Sequence, residues 1–272
     1  MNIFLKVKKV IRFTVKHLFL NTKFFLAYAY LLFQKDGSMK VNVMSDEDLA
    51  HKIKTGKSLI RIGDGEIYMI NYGSIHYEKY SNRIRDYFLK IIKGYNSNSN
   101  YILSVVDWGI MSTNQKLKES NTFSCWLPYK AQWLINFNKK VSYFGAGNFY
   151  KRMFFDEYVL PHIQNKNIIL ISREDNCEHI KNIKYFKKID FVITPDLNSF
   201  EKFDEIKSEI SSKLNQLFGE GVIKNDVALL VACGPASKPI CYDFSNQGVQ
   251  SLDIGRGVEL IGTGEGLEHM LV

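Results

Sequence analysis

Residues 61–66 read RIGDGE, with two carboxylates, Asp64 and Glu66, one residue apart among glycines. Glycine at the middle position lets the backbone curl, so both hard oxygen donors can face one divalent cation such as Mg²⁺ or Mn²⁺. The same two acids also suit the first turn of a helix, where the dipole favours negative charge. Arg61, Gly63 and Gly65 crowd that turn, which weighs toward a diphosphate and metal site. A second turn, CGPASKP at 233–239, sets Gly234, Pro235, Ser237 and Lys238 at a strand-to-helix junction, where backbone N–H groups and the positive helix end attract phosphate. A third, GAGNFYKR at 145–152, offers Asn148 as a cap with Lys151 and Arg152 one turn inside. An ordinary capped helix with solvated bases reads the same way. It lacks the later glycine of G-x-G-x-x-G, which weakens a nicotinamide dinucleotide reading. Asp107 and Trp108 could hold a sugar or a base, or simply form a turn. His76, His162, His179 and His269 each stand alone and default to surface or internally satisfied roles. No G-x-S-x-G elbow is present and neither Ser172 nor Ser237 has an evident histidine partner, which sets acyl hydrolysis aside.

These turns need a scaffold. From Ser58 onward short apolar runs alternate with helical patterns, predicting a mostly parallel sheet with helices on its faces. Strands are expected over 58–62, 101–106, 141–145, 167–172, 191–195, 227–233 and 251–255, and the clearest helices over 83–93, 126–138, 149–160, 199–217 and 236–247. With no internal repeat and no proline-rich linker, residues 41–272 read as one α/β domain. Ligands in such sheets bind outside the carboxyl ends of the strands. That rule adds SRED, with Ser172 and Arg173, TPD, with Thr194, and GRG at 255–257 to the candidate turns.

The chain has 272 residues, 46% of them hydrophobic, and a formal charge of +8. Residues 1–40 hold eight Lys or Arg against Asp36 alone, so the remainder is nearly neutral and a nucleic-acid partner is not expected. The four cysteines lie far apart without C-x-x-C and read as reduced core thiols, favouring the cytosol. Ile3, Phe4, Val7, Val10, Ile11, Val15 and Leu18 gather on one side of a helix, opposite Lys6, Lys8, Lys9, Arg12, Lys16 and Lys23. Residues 1–35 are therefore expected to lie on an anionic membrane surface, with docking on the protein's own core as the alternative. Lysines recur too often for a spanning helix, and no small-residue cleavage site follows Phe33.

Taken in order, SLIRIGDGE, TPDLNSFEKFDEI and VALLVACGPASKPICYDFSNQGVQSLDIG resemble the GT-D glycosyltransferase family, over about residues 45–260. The resembling pieces are Arg61–Glu66, Pro195–Phe200, Gly234–Asp243 and Asp253–Gly255; Arg256 stands where family members often carry His. The resemblance implies a Rossmann-like domain that moves a sugar from a nucleotide diphosphate donor, foremost a UDP-sugar, with Asp64 and Glu66 on Mn²⁺ or Mg²⁺. Donor contacts are expected at Arg61, Gly63 and Gly65 and, from the strand-end turns rather than from the resemblance, at Asn148 and Arg152 and at Ser172 and Arg173. Further contacts fall at Thr194 and Asn198, and at Gly234, Pro235, Ser237 and Lys238, with Asp107 as a further catalytic candidate. The expected acceptor is a lipid-linked or protein-linked glycan in bacterial polysaccharide or glycoprotein assembly, met at the cytoplasmic face of the cell membrane by a peripheral enzyme. A non-catalytic, membrane-tethered nucleotide-binding assembly factor is the alternative. No residue stands out as the base for the acceptor hydroxyl, and assembly into an oligomer is left open.

Overall fold

The computed structural model describes residues 22–138, 140–151 and 153–263. They form two compact units: one takes the residues up to Val41 with Asp107–Phe137, the other Asn42–Val106 and Asn138 onward.

The larger unit is built on one seven-stranded sheet: β1 Ser58–Ile62, β2 Tyr101–Val105, β3 Gly145–Ala146, β4 Asn167–Ser172, β5 Lys188–Ile193, β6 Val227–Ala232 and β7 Gln250–Asp253. Its order is β3-β2-β1-β7-β6-β4-β5, and every pairing is parallel. A parallel sheet is covered on both faces, so β2, β4 and β6 read as nearly unbroken apolar runs and are buried almost throughout. Leu59, Ile102, Leu170, Leu230 and Leu252 join Leu49, Ile53, Phe149 and Phe155 in one core. The Ser237–Asn246 helix packs on β1, β6 and β7. The direction of strand addition reverses beside β1 and β7, the place where α/β sheets open a crevice.

Three expected elements differ. Phe144 does not extend β3 but pairs with the segment ahead of the sheet, donating to Asn42 O at 2.8 Å and accepting from Met44 N at 2.8 Å. β5 begins at Lys188 and ends before Pro195; at the sheet edge Lys188 is exposed and an apolar run is not required. The helix expected over 149–160 divides into Phe149–Lys151, Met153–Tyr158 and Leu160–Ile163, because Pro161 has no N–H to continue the ladder. Helices also form at Asp46–Lys54, where the Ser45 hydroxyl accepts from Asp48 N at 3.1 Å, and at Glu174–Ile183.

In the smaller unit the Thr22–Phe33 helix buries Phe24 and Leu31 against Leu127 and Ala131 of the Phe123–Asn136 helix. Asn114 closes its carboxyl end, Nδ2 donating to Leu31 O at 2.8 Å and Gln34 O at 2.9 Å. The other side exposes Phe25, Leu26, Tyr30, Leu32 and Phe33. The amphipathic pattern over residues 3–18 lies outside the described residues. Among the described residues no helix is long and apolar enough to cross a membrane, and none of the four cysteines forms a disulfide.

Gly147 follows β3 where the chain passes against β2. A Cβ there would come within 2.7 Å of Val105 O and 2.9 Å of its carbonyl carbon. Backbone cannot swing aside as a side-chain tip can, so Gly147→Ala is expected to destabilise the protein by about 1–3 kcal/mol, read as a lower urea midpoint. An unchanged midpoint would show that β3 yields at this contact.

Candidate active site

β1 ends in Arg61 and Ile62, and the chain turns at Gly63 into the Asp64–Ile70 helix. Glu66 closes that helix's first turn: its Oε2 accepts the Gly63 N–H at 2.8 Å. Its Oε1 meets Lys238 Nζ at 3.1 Å, and the same ammonium meets Asp253 Oδ2 at 3.2 Å and donates to Gly234 O at 3.2 Å. Asp253 Oδ2 also accepts the backbone N–H of Arg61 at 3.2 Å. Glu66, Lys238 and Asp253 are 5%, 1% and 0% exposed, so the cluster joins β1, β7 and the helix after β6 from within. Burial works against the Glu66 carboxylate, yet Lys238 and Arg61 hold its pKa below the usual value.

Above this cluster lies a cleft of about 620 Å³ at the carboxyl ends of β1, β4, β5, β6 and β7, a volume suited to a small-molecule ligand. Three guanidiniums line it, Arg61, Arg173 and Arg256. Arg61 bonds to Tyr150 Oη and lies 4.5 Å from that ring's centroid, while its Nε is buried without a hydrogen-bond partner. Burial disfavours its charge, but Tyr150, Asp253 and Glu66 prevail and raise its pKa. Glu259 accompanies Arg173 at 3.8 Å and Arg256 at 3.4 Å. Tyr77, Pro195 and Leu197 supply apolar surface. Gly234, at φ 62°, brings the backbone into the cleft beside Tyr77, where a Cβ would stand 3.2 Å from the ring.

One more carboxylate lines the cleft. Glu78 is 2% exposed; its Oε2 accepts the Phe200 N–H at 3.1 Å, and its Oε1 is buried without a hydrogen-bond partner. Burial, with Glu201 adding to it, pushes Glu78 up to about 7. The loop that carries it is clamped by Asn198, whose N–H donates to Tyr77 O at 2.9 Å and whose Oδ1 accepts from Lys79 N at 3.0 Å.

Of the expected donor contacts, Arg61, Arg173 and Gly234 line the cleft. Lys238, expected to face phosphate, lies instead in the buried ion cluster, and the Ser237 hydroxyl accepts from Cys233 N at 3.0 Å. The Ser172 hydroxyl donates to Ala232 O at 3.2 Å, and Pro235 is buried. Thr194 Oγ1 is buried without a partner, and Asn198 serves the clamp. Gly63 caps the helix, Gly65 sits 3.6 Å from Ile75 by its would-be Cβ, and Asn148 precedes the Phe149–Lys151 turn. Arg152 and His269 lie outside the described residues, and Asp107 opens the Asp107–Met111 helix of the smaller unit. His76, set aside as a lone histidine, lines the cleft, as do Asp196, Glu259 and Glu78.

The Asp64 and Glu66 side chains part company. Asp64 is exposed, whereas both Glu66 oxygens are engaged by Lys238 and Gly63. A chelate built on both acids would strip Glu66 from a buried ammonium, so this donor set does not fit a two-carboxylate metal site. Among the described residues no group of three or more His, Cys, Asp or Glu converges to hold a metal.

A family model described as the glycosyltransferase GT-D fold matches residues 59–259. The chain is 22% identical over 236 residues to a protein of Streptococcus gordonii named probable glycosyl transferase Gly, a match covering 79% of this chain and 32% of that one. It thus spans about a third of that relative's length. A solved structure described as a new glycosyltransferase from Streptococcus sanguinis superposes with a TM-score of 0.65 at 17% identity, over 80% of this chain and 82% of its own. Another, described as the highly conserved domain of unknown function 1792 with a distinct glycosyltransferase fold, gives 0.62 at 21% identity over 85% and 82%. These likenesses establish the fold.

Removing one partner of a buried ion cluster leaves the others uncompensated. Lys238→Met is therefore expected to cost about 3–5 kcal/mol in urea unfolding at pH 7. Because the folded state holds Glu66 at a lowered pKa, its contribution is present above the ordinary carboxylate range and fades as pH falls. The gap between wild type and variant should narrow from about pH 5 toward pH 3; a gap that does not change with pH would show that the cluster contributes no such linkage.

Proposed function

Because the chain belongs to the GT-D-fold glycosyltransferase family, we propose that it moves a sugar from a nucleotide diphosphate donor, foremost a UDP-sugar, to a glycan acceptor in the cleft above β1 and β7. The observation that carries this reading is the set of three guanidiniums, Arg61, Arg173 and Arg256, lining one cleft at the strand ends. As the bond between the anomeric carbon and the diphosphate breaks, negative charge grows on the leaving oxygens. Arg61 is fixed by Tyr150 and by its backbone bond to Asp253, so its charge needs little reorganisation to meet them. Arg173 and Arg256 can share the diphosphate, with Glu259 between them holding their orientation. Tyr77, Pro195 and Leu197 give a nucleoside base or sugar ring an apolar wall. The resemblance also implies Mn²⁺ or Mg²⁺. Were such an ion bound with the donor, Asp64 would be the exposed carboxylate available to hold it, and the ion would offset charge on the diphosphate.

The acceptor reading extends to the membrane. The Thr22–Phe33 helix turns a row of aromatic and aliphatic side chains outward while its other side packs on the protein, and the residues before it are strongly basic. A glycan on a lipid carrier is confined to a surface, and an enzyme held there meets it at raised effective concentration. Full-length protein should float with anionic phosphatidylserine vesicles and be released as salt rises. Equal flotation with neutral vesicles at any salt would leave only the apolar face at work, and no flotation would remove the membrane from the reading.

Wild-type protein should release nucleoside diphosphate from at least one of a panel of UDP-, GDP- and TDP-sugars, assayed with and without added Mn²⁺. Arg173→Met should weaken binding of UDP more than of uridine, by roughly 1.5–3 kcal/mol in calorimetry. Equal losses for both would point to damage beyond the phosphate contact. Nucleotide binding without turnover under any condition would favour the non-catalytic assembly factor.

A further inference from the structure

Three carboxylates line the cleft, and they differ in what surrounds them. Glu259 is committed to Arg173 and Arg256. Asp196 is exposed to solvent. Glu78 alone of the three is buried. One of its oxygens is anchored by the Phe200 N–H, and the other has no hydrogen-bond partner among the described residues. Its backbone is fixed as well: Ile75 N donates to Glu78 O at 3.0 Å, and the residues on either side are clamped to Asn198. Held at one oxygen and unsatisfied at the other, this cleft-lining carboxylate has a single oxygen left to accept a proton, one that is covered from solvent, so a bound ligand must displace that cover to reach it.

We infer that Glu78 is the catalytic base of the transfer, an inference that rests on the proposed glycosyltransferase reading. The acceptor hydroxyl gives its proton to Glu78 Oε1 as its oxygen bonds to the anomeric carbon of the donor sugar. The bond from that carbon to the diphosphate oxygen breaks, and its electron pair leaves on the nucleoside diphosphate. Water can take the acceptor's place, giving slow donor hydrolysis by the same proton transfer.

The surroundings agree with this role. Burial raises Glu78 to about 7, where a general base is most effective near neutral pH. Glu201 raises it further, while the Phe200 N–H and Lys79 act the other way. Cys233 faces it from the end of β6, its own thiol pushed up by burial; Arg61, Arg173 and His76 line the same cleft. Sign follows from direction: a base with a raised pKa is protonated and idle below about pH 7, so activity rises as pH passes through that value.

The test uses full-length protein and the nucleotide-sugar panel. Glu78→Gln keeps the carbonyl that accepts from Phe200 and removes the base. Donor hydrolysis should fall at least about 100-fold, with UDP affinity within about threefold of wild type and the limb near pH 7 absent. Glu78→Asp should recover part of the rate. A Gln variant within about fivefold of wild type, or one that loses UDP binding in step with its rate, overturns the inference while leaving the glycosyltransferase reading standing. Should wild type turn over no donor, the glycosyltransferase reading fails first. Infrared titration then decides Glu78 separately: a carboxyl band titrating near pH 7 and missing from Glu78→Gln supports a poised base, and titration in the ordinary carboxylate range overturns it.

Discussion

The structure turns on a single buried ammonium. Lys238 stands between Glu66 and Asp253 with almost no exposure to water, and each of its partners belongs to a different part of the sheet. Taking charges out of water is costly unless they are paired and hydrogen-bonded. Here the pairing is arranged so that the helix after β1, the end of β7 and the helix after β6 can satisfy it only when all three are in register. Apolar packing alone tolerates small slips of one element against another. A shared charge does not, and this cluster sets the floor on which the cleft residues stand.

From that floor the division of labour in the cleft follows. Arg61 is bound to the cluster through its backbone N–H and held above it by Tyr150, so its guanidinium is a fixed charge rather than a mobile one. Arg173 and Arg256 are more exposed and tied to Glu259, which suits groups that must let a product go. Asn198, in the left-handed region at φ 57°, lets the chain after β5 reach back and pin the loop that carries Tyr77 and Glu78. Pro195–Phe200, which resembles a family signature, thus acts through the loop it holds as well as through the side chains it lends to the cleft.

Strand positions were legible because a parallel sheet covered on both faces demands apolar runs, and β1, β4 and β6 lie where those runs lie. The turns at their carboxyl ends were legible for the same reason, and Arg61, Arg173 and Gly234 do meet there. What local sequence cannot convey is where a charged side chain finds its partner. Glu66 and Lys238 look like ligand-facing groups in their own turns; only the fold brings them to each other. Glu78 carries no local signal at all. It sits in a loop without periodicity, and its burial is created by Phe200 and Asn198 from a segment far along the chain. Asp46–Lys54 and Glu174–Ile183 leave little trace in the sequence, because short polar helices owe their stability to caps and to the surface they lie on rather than to a wide apolar stripe.

The strand order also has a temporal meaning. β7 is the last strand of the sheet to be synthesised, yet it sits between β1 and β6, and without it β3-β2-β1 and β6-β4-β5 share no strand pairing. A chain growing on a ribosome therefore holds two half-sheets, each with an unpaired inner edge, until the final strand is released. Such edges are the surfaces on which sheets join wrongly to other chains, and long-range parallel pairing is slow to form. The same late strand delivers Asp253, so the ammonium of Lys238 lacks one of its two counter-charges throughout that interval. Closure of the sheet and neutralisation of its centre are one event, and the protein's exposure to misassembly ends only when it occurs.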